Sequence, residues 1–284
     1  MGLNSSCPLD GRNVLPGTAQ TGEGTRAIMR SLLIWFLSIS TTTVGQTGGK
    51  LARPEYLDSG KVPTFAEPLL RVLGDRLGKP GKERLAFMGT LADAKGNRQI
   101  RVLLELPLKG RIEDLGAGGG TFTLDEADLL KSNKSTVSDQ ELDLVESLIL
   151  DRQEAILYGL AQGDGARLLG RGFPLVPGQG KGYRGPVYDI IDLTSKTEFR
   201  SDRPQRFRRC YFDSATSLLH KVQYAQVRGG RTIKVETVVR QWVELQGQRV
   251  PSAIERIEDG QPVFTVQLTG QGIGAKVSDG VFTK

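Results

Sequence analysis

The stretch "YFDSATSLLHKVQY", residues 211–224, decides the fold class. Tyr211 and Phe212 close one apolar, aromatic run. Asp213, Ser214, Ala215, Thr216 and Ser217 follow as a corner of turn-forming residues. Leu218 to Tyr224 then resume as a second extended run. Two such runs around a short polar corner predict an antiparallel hairpin.

Working outward, the same pattern repeats. Candidate strands cover 187–193, 206–212, 218–227, 232–245, 250–258 and 262–268. Arg228-Gly229-Gly230, Gln246-Gly247-Gln248 and Glu258-Asp259-Gly260 supply tight turns between several of them. Strands at short, regular spacing joined by such turns predict an antiparallel meander. Upstream, Leu85–Ala92 and Gln99–Leu106 predict another hairpin around Asp93 to Asn97. Ile100, Val102, Leu104 and Leu106 alternate on one face, and Pro107 stops the ladder. A further strand is expected at 108–114, and Gly116–Gly120 reads as a flexible corner leading into Thr121 to Leu124.

Helices are few. Thr64-Phe65-Ala66-Glu67 reads as a capping box opening a helix over 65–77. Ser138-Asp139-Gln140-Glu141 is a second capping box. Leu142, Val145, Leu148 and Ile149 continue it as an apolar stripe, so a helix is expected over 139–150. Asp151 to Glu154 reads as a new helix start running to about Gly163, and 171–186 as a Gly- and Pro-rich loop.

Met29–Gln46 has the layout of a secretory signal peptide: Arg30, then an apolar run from Leu32 to Leu37, then Thr43-Val44-Gly45 as a cleavage site. The run is shorter than the roughly 20 residues of a spanning helix. The organisation expected is residues 1–28 as an upstream piece or long n-region, 29–45 as signal peptide, 46–63 as a leader and 64–284 as one domain. Cleavage after Gly45 would remove Cys7 and leave Cys210 alone, so the fold must rest on its core without an internal disulfide. No later stretch is apolar enough to span a bilayer, so a periplasmic or secreted product that does not span the membrane is expected.

The 284 residues are 38% hydrophobic and 25% charged, the balance of a soluble folded chain. The net charge of +6 comes from charges mixed in sign along the chain, which reads as a solvated surface. With export expected, no nucleic-acid partner is expected.

Little sequence chemistry points to an enzyme. His220 is the only histidine, and no G-x-S-x-G accompanies it to build a triad. Cys210 is expected as a half-buried strand thiol. Gly180 to Gly185 fits G-x-G-x-x-G but leads into a strand, whereas a phosphate site needs a helix N-terminus after it. "GQGIGAK", 270–276, lacks P-loop spacing. Asp189 and Asp192 have opposite parity on one strand. Arg200, Arg203, Arg206, Arg208 and Arg209 read as a solvated edge strand whose charge discourages aggregation. No catalytic residue, metal or cofactor is expected.

Residues 211–224, followed by "VETVVRQWVELQGQRVPSAIERIEDGQPVFTVQLTG", resemble the C-terminal meander of the LolA-like family of outer-membrane lipoprotein carriers and sorting proteins. The resemblance is carried by Tyr211-Phe212-Asp213, Leu218-Leu219, Val235 to Trp242, Val250-Pro251 and Val263 to Leu268. It implies an α+β fold: a curved antiparallel half-barrel with helices covering its open side. It also implies an apolar cavity holding a lipid or lipoprotein acyl chain, with Phe87, Leu104, Val235, Trp242, Phe264 and Val266 as lining residues. A structural or assembly module of the cell envelope, without a small ligand, is the alternative.

Overall fold

The computed structural model describes residues 83–125, 129–161, 165–175, 183–196, 205–274 and 276–282. The helix expected over 65–77, the signal peptide and the leader lie outside the described residues.

Among the described residues, twelve antiparallel strands form one sheet with β5 and β6 at its two ends. They are β1 (Arg84–Asp93), β2 (Gly96–Glu105), β3 (Lys109–Asp114), β4 (Thr121–Leu124), β5 (Leu130–Ser132), β6 (Gly165–Pro174), β7 (Val187–Lys196), β8 (Gln205–Asp213), β9 (Leu219–Arg228), β10 (Arg231–Leu245), β11 (Gln248–Glu258) and β12 (Gln261–Ile273). Their order is β5-β4-β3-β2-β1-β12-β11-β10-β9-β8-β7-β6. The sheet is therefore two meanders, β1–β5 and β6–β12, joined where β1 pairs with β12 from Leu85↔Ile273 to Asp93↔Phe264.

Turn chemistry sets the register. Gly229-Gly230, Gln246-Gly247 and Asp259-Gly260 all have positive φ at both central positions, the geometry whose twist matches a two-residue hairpin. The corner at 213–218 works differently. The Asp213 carboxylate accepts from the Ala215 and Thr216 amides at 3.1 and 2.8 Å and from the Thr216 hydroxyl at 2.8 Å. The Asp213 amide donates to the Leu218 carbonyl at 2.8 Å, which closes the β8–β9 hairpin.

Two helical pieces, α1 (Asp139–Val145) and α2 (Gln153–Ala161), link the meanders, with a π-helical turn at Glu146–Leu150 after α1. Both pack on one face of the sheet. Leu144, Val145, Leu148, Ile149 and Leu150 enter an apolar cluster with β1–β4, β11 and β12. Ile156, Leu157 and Leu160 enter a second with residues of β6–β10. The fit over β3 is close: a Cβ on Gly110 would stand 2.4 Å from Ile149 Cδ1.

Three sequence expectations change. Residues 171–174, expected as loop, finish β6, and β5 was not foreseen. β8 is not an edge: it lies between β7 and β9. Arg208, Cys210 and Phe212 turn to the face that carries the helical segment, so Arg208 is buried. Edge character depends on strand order, which spacing along the chain does not contain.

Candidate functional site

The helical segment is built to be held down. Ser138 caps α1: its hydroxyl accepts from the Glu141 amide while the Glu141 carboxylate accepts from the Ser138 amide at 2.8 Å. Burial, which alone would raise the Glu141 pKa, is outweighed by Lys134 and Ser138, and the carboxyl sits below its ordinary range. In the π turn the Asp151 amide donates to the Glu146 carbonyl at 2.9 Å, and the wider ring turns all five residues of 146–150 inward.

Between the two apolar clusters the face is polar. Asp143, Glu146, Ser147, Asp151, Arg152, Gln153 and Glu154 are buried on the helical side, and Arg208, Gln226, Thr237 and Arg256 on the strands. Arg256 is fully buried (0% exposed). Its guanidinium donates to Glu258 at 2.9 Å, to the Tyr224 hydroxyl at 2.9 Å, to Gln226 at 2.9 Å and to Ser147 at 3.3 Å. It also pairs with Asp143 at 3.1 Å. Burial works against its charge, but Tyr224, Asp143, Glu146 and Glu258 together raise its pKa. Arg228 bridges Asp143 and Glu258.

Asp151 is the second centre. It lies 3.1 Å from Arg208 and accepts from the Thr237 hydroxyl at 2.9 Å. Gln153 accepts the Leu219 amide at 2.6 Å, which fixes the start of α2 to the β8–β9 corner. Such a network has direction: each guanidinium needs its carboxylates, and each carboxylate its donors.

At the far end of the first cluster lies a cavity of about 320 Å³. Its floor includes Leu91, Phe122, Leu144 and Phe264, all members of that cluster. Its walls are charged. Arg98 forks onto Asp93 at 2.8 and 2.9 Å and reaches Asp114 at 2.9 Å. Lys134 pairs with Glu141 and lies 6.0 Å from the centre of the Phe122 ring. Ala117, Gly118 and Gly119 form the rim.

The six residues expected to line a cavity divide between the clusters. Phe87, Leu104, Phe264 and Val266 are core members of the first, and only Phe264 among the six reaches the cavity. Val235 is a core member of the second, against which Trp242 packs. The Trp242 indole donates to the Leu219 carbonyl at 3.2 Å.

The reactive residue types are held quiet. Cys210 is fully buried rather than half-buried, and burial, partly offset by Arg208, pushes its thiol up to about 12. The His220 ring packs on Tyr188 with centroids 4.7 Å apart, and burial lowers its pKa. Asp192, on the opposite face from the helices, pairs with Arg167 and Arg209. Among the described residues no group of three or more His, Cys, Asp or Glu is arranged to hold a metal. No described helix is long and apolar enough to cross a membrane.

The polar seam was missed from the sequence, although one signal was present. The run Asp151-Arg152-Gln153-Glu154 offers four polar residues between two apolar helical stretches.

The chain matches no family model and no curated protein. It is similar to solved structures. One is a DUF1329 family protein from Desulfovibrio piger, 10% identical, covering 79% of this chain and 98% of that one, with a TM-score of 0.45. Another is a LolA superfamily protein from Nitrosomonas europaea, 15% identical, covering 77% and 97%, with a TM-score of 0.48. A third is an outer membrane lipoprotein-sorting protein domain from Vibrio parahaemolyticus, 10% identical, covering 76% and 97%, with a TM-score of 0.43.

Proposed function

We propose that the chain is an exported, non-enzymatic binding protein, periplasmic or secreted, that holds an acyl chain of a lipid or lipoprotein. In this reading residues 64–284 are one domain, a curved half-barrel whose open side the helices cover. Phe87, Leu104, Phe264 and Val266 form one wall of the binding surface, and Val235 and Trp242 the other. The observation that carries it is the apolar face of β1–β4, β11 and β12, covered in the described structure by a short helical segment that contributes five apolar side chains. An acyl chain would replace those side chains methylene for methylene, at roughly 0.8 kcal/mol per buried CH₂. Recognition would be loose, because burial has no direction. The quiet Cys210 and His220 fit a protein that binds without chemistry.

A second reading is favoured by a different observation. Arg256 and Arg208 tie the helical segment to the strands through buried ion pairs. A segment so fixed suits a structural or assembly module of the cell envelope that takes no small ligand.

Native mass spectrometry of the full chain purified from an envelope fraction, with lipid extraction, separates the two. A co-purifying fatty acid or phospholipid is the outcome expected for the binding protein. A clean apo mass, unchanged after incubation with lipid, would replace that reading with the structural one.

A further inference from the structure

We infer that the sheet face opposite the helices is a docking surface for an anionic membrane, with the contact centred on β8–β10. The inference goes beyond the binding reading above and does not depend on whether the chain carries a ligand.

The two faces of the sheet distribute charge in opposite ways. On the helical face one base serves several acids: Arg256 pairs with Asp143, Glu146 and Glu258, and Arg98 with Asp93 and Asp114. On the other face one acid serves two bases. Glu236 pairs with Lys221 and Lys234, and Glu113 with Arg101 and Arg111. Asp192 has the same arrangement with Arg167 and Arg209. The bases also stand above the acids. Lys234 is 55% exposed over Glu236 at 18%, and Arg240 is 52% exposed over Glu255 at 18%. Short carboxylates form the floor of this face, and the longer cationic side chains end in solvent. Such a layer presents a positive potential outward.

The same face carries apolar side chains in water. Phe207 on β8 and Val227 on β9 are 50% and 59% exposed. The β8–β9 pairing runs from Phe212↔Leu219 to Arg209↔Gln223, and both residues lie beyond it, toward the Gly229-Gly230 turn. Cations flank them on β10: Val227 pairs with Thr232, next to Arg231, and Ala225 pairs with Lys234. Apolar side chains ringed by cations match an anionic bilayer surface, where headgroups take the cations and the acyl boundary takes the carbon. A soluble polyanion would answer the cations and leave Phe207 and Val227 in water.

The test is sedimentation of the full chain with vesicles of phosphatidylcholine alone and of phosphatidylcholine mixed equally with phosphatidylglycerol. Tighter binding to the mixed vesicles is expected, weakening as salt is added. Lys234→Gln and Arg231→Gln should each weaken it about fivefold at low salt. Phe207→Ser should weaken it at every salt concentration. Arg249→Gln, exposed on the β10–β11 hairpin at the opposite end of the strands, should change nothing. All four substitutions are at exposed positions and should leave the unfolding midpoint in place. Equal retention on the two vesicle types would overturn the inference. So would an Arg249→Gln loss as large as that of Lys234→Gln, which would reduce the effect to net charge. Binding of polyglutamate as tight as that of the mixed vesicles, with Phe207→Ser without effect, would replace the membrane by an acidic protein.

Discussion

One helical segment lies on one sheet face, and the face answers it in two ways. Under Leu144, Val145, Leu148, Ile149 and Leu150 it offers carbon, with Phe87, Leu104, Ile112 and Val266 in the same apolar cluster. Beside that patch it offers Arg256 and, under the start of α2, Arg208. The difference is one of tolerance. An apolar patch accepts any carbon of about the right volume, whether side chain or ligand. A buried ion-pair network accepts only its own partners, because each unpaired charge costs far more than a lost contact. The segment can thus be replaceable over the first cluster and fixed at the seam.

The largest effect should come from cutting the network. Arg256→Ala leaves Asp143 and Glu146 buried without that guanidinium and should destabilise by about 3–5 kcal/mol in chemical denaturation. A loss below about 1 kcal/mol would mean that water or neighbours replace the guanidinium, and the contrast between the regions would collapse.

Next is the apolar side. Leu104→Ala should cost about 3 kcal/mol, within the 2–5 range of core truncations. Leu104→Met, close in volume, should cost under about 1.5 kcal/mol. If both variants lose equally, the cluster is as particular as the seam.

Gly110→Ala probes the helix–sheet gap. The new Cβ would press on Ile149, so a loss of about 1–3 kcal/mol is expected. Adding Ile149→Val should recover part of it, and a double-mutant cycle reads the coupling. Strict additivity would show that the segment does not sit tightly over β3.

The smallest effect belongs to the cap. Ser138→Ala should cost about 1 kcal/mol at neutral pH. Because folding lowers the Glu141 pKa from its ordinary 4.5, its contribution is present above that value and is lost as pH falls through the folded pKa. The Ser138→Ala penalty should therefore shrink in acid, followed as the difference in denaturation midpoint across the titration. A penalty independent of pH would place the cap's contribution outside the Glu141 carboxylate.

Much of the meander was legible because its signals are local. Asp259-Gly260 and Gly229-Gly230 accept the positive φ that a two-residue hairpin turn needs, and alternation at Ile100, Val102 and Leu104 assigns one face from the strand itself. The capping box at Ser138 was readable for the same reason. Arg208 was misplaced because its environment is set by Asp151, far along the chain, and by β8 lying inside the sheet. Of the candidate lining residues, Phe87, Leu104, Val235, Phe264 and Val266 are buried and Trp242 is half-buried, and only Phe264 borders the cavity.

Local sequence decided most of the strands, the two helical starts after Ser138 and at 151–154, and most of the tight turns, and it showed that the chemistry-bearing residues are few. Those properties arise from neighbours within a few positions. Only the tertiary structure decided that β1 pairs with β12, that helical carboxylates meet strand arginines, and that one cavity joins Asp93, Asp114, Lys134 and Phe264. Such meetings depend on strand order and on which face the linking segment covers, and those are chosen by the burial of the whole chain rather than by any stretch of it.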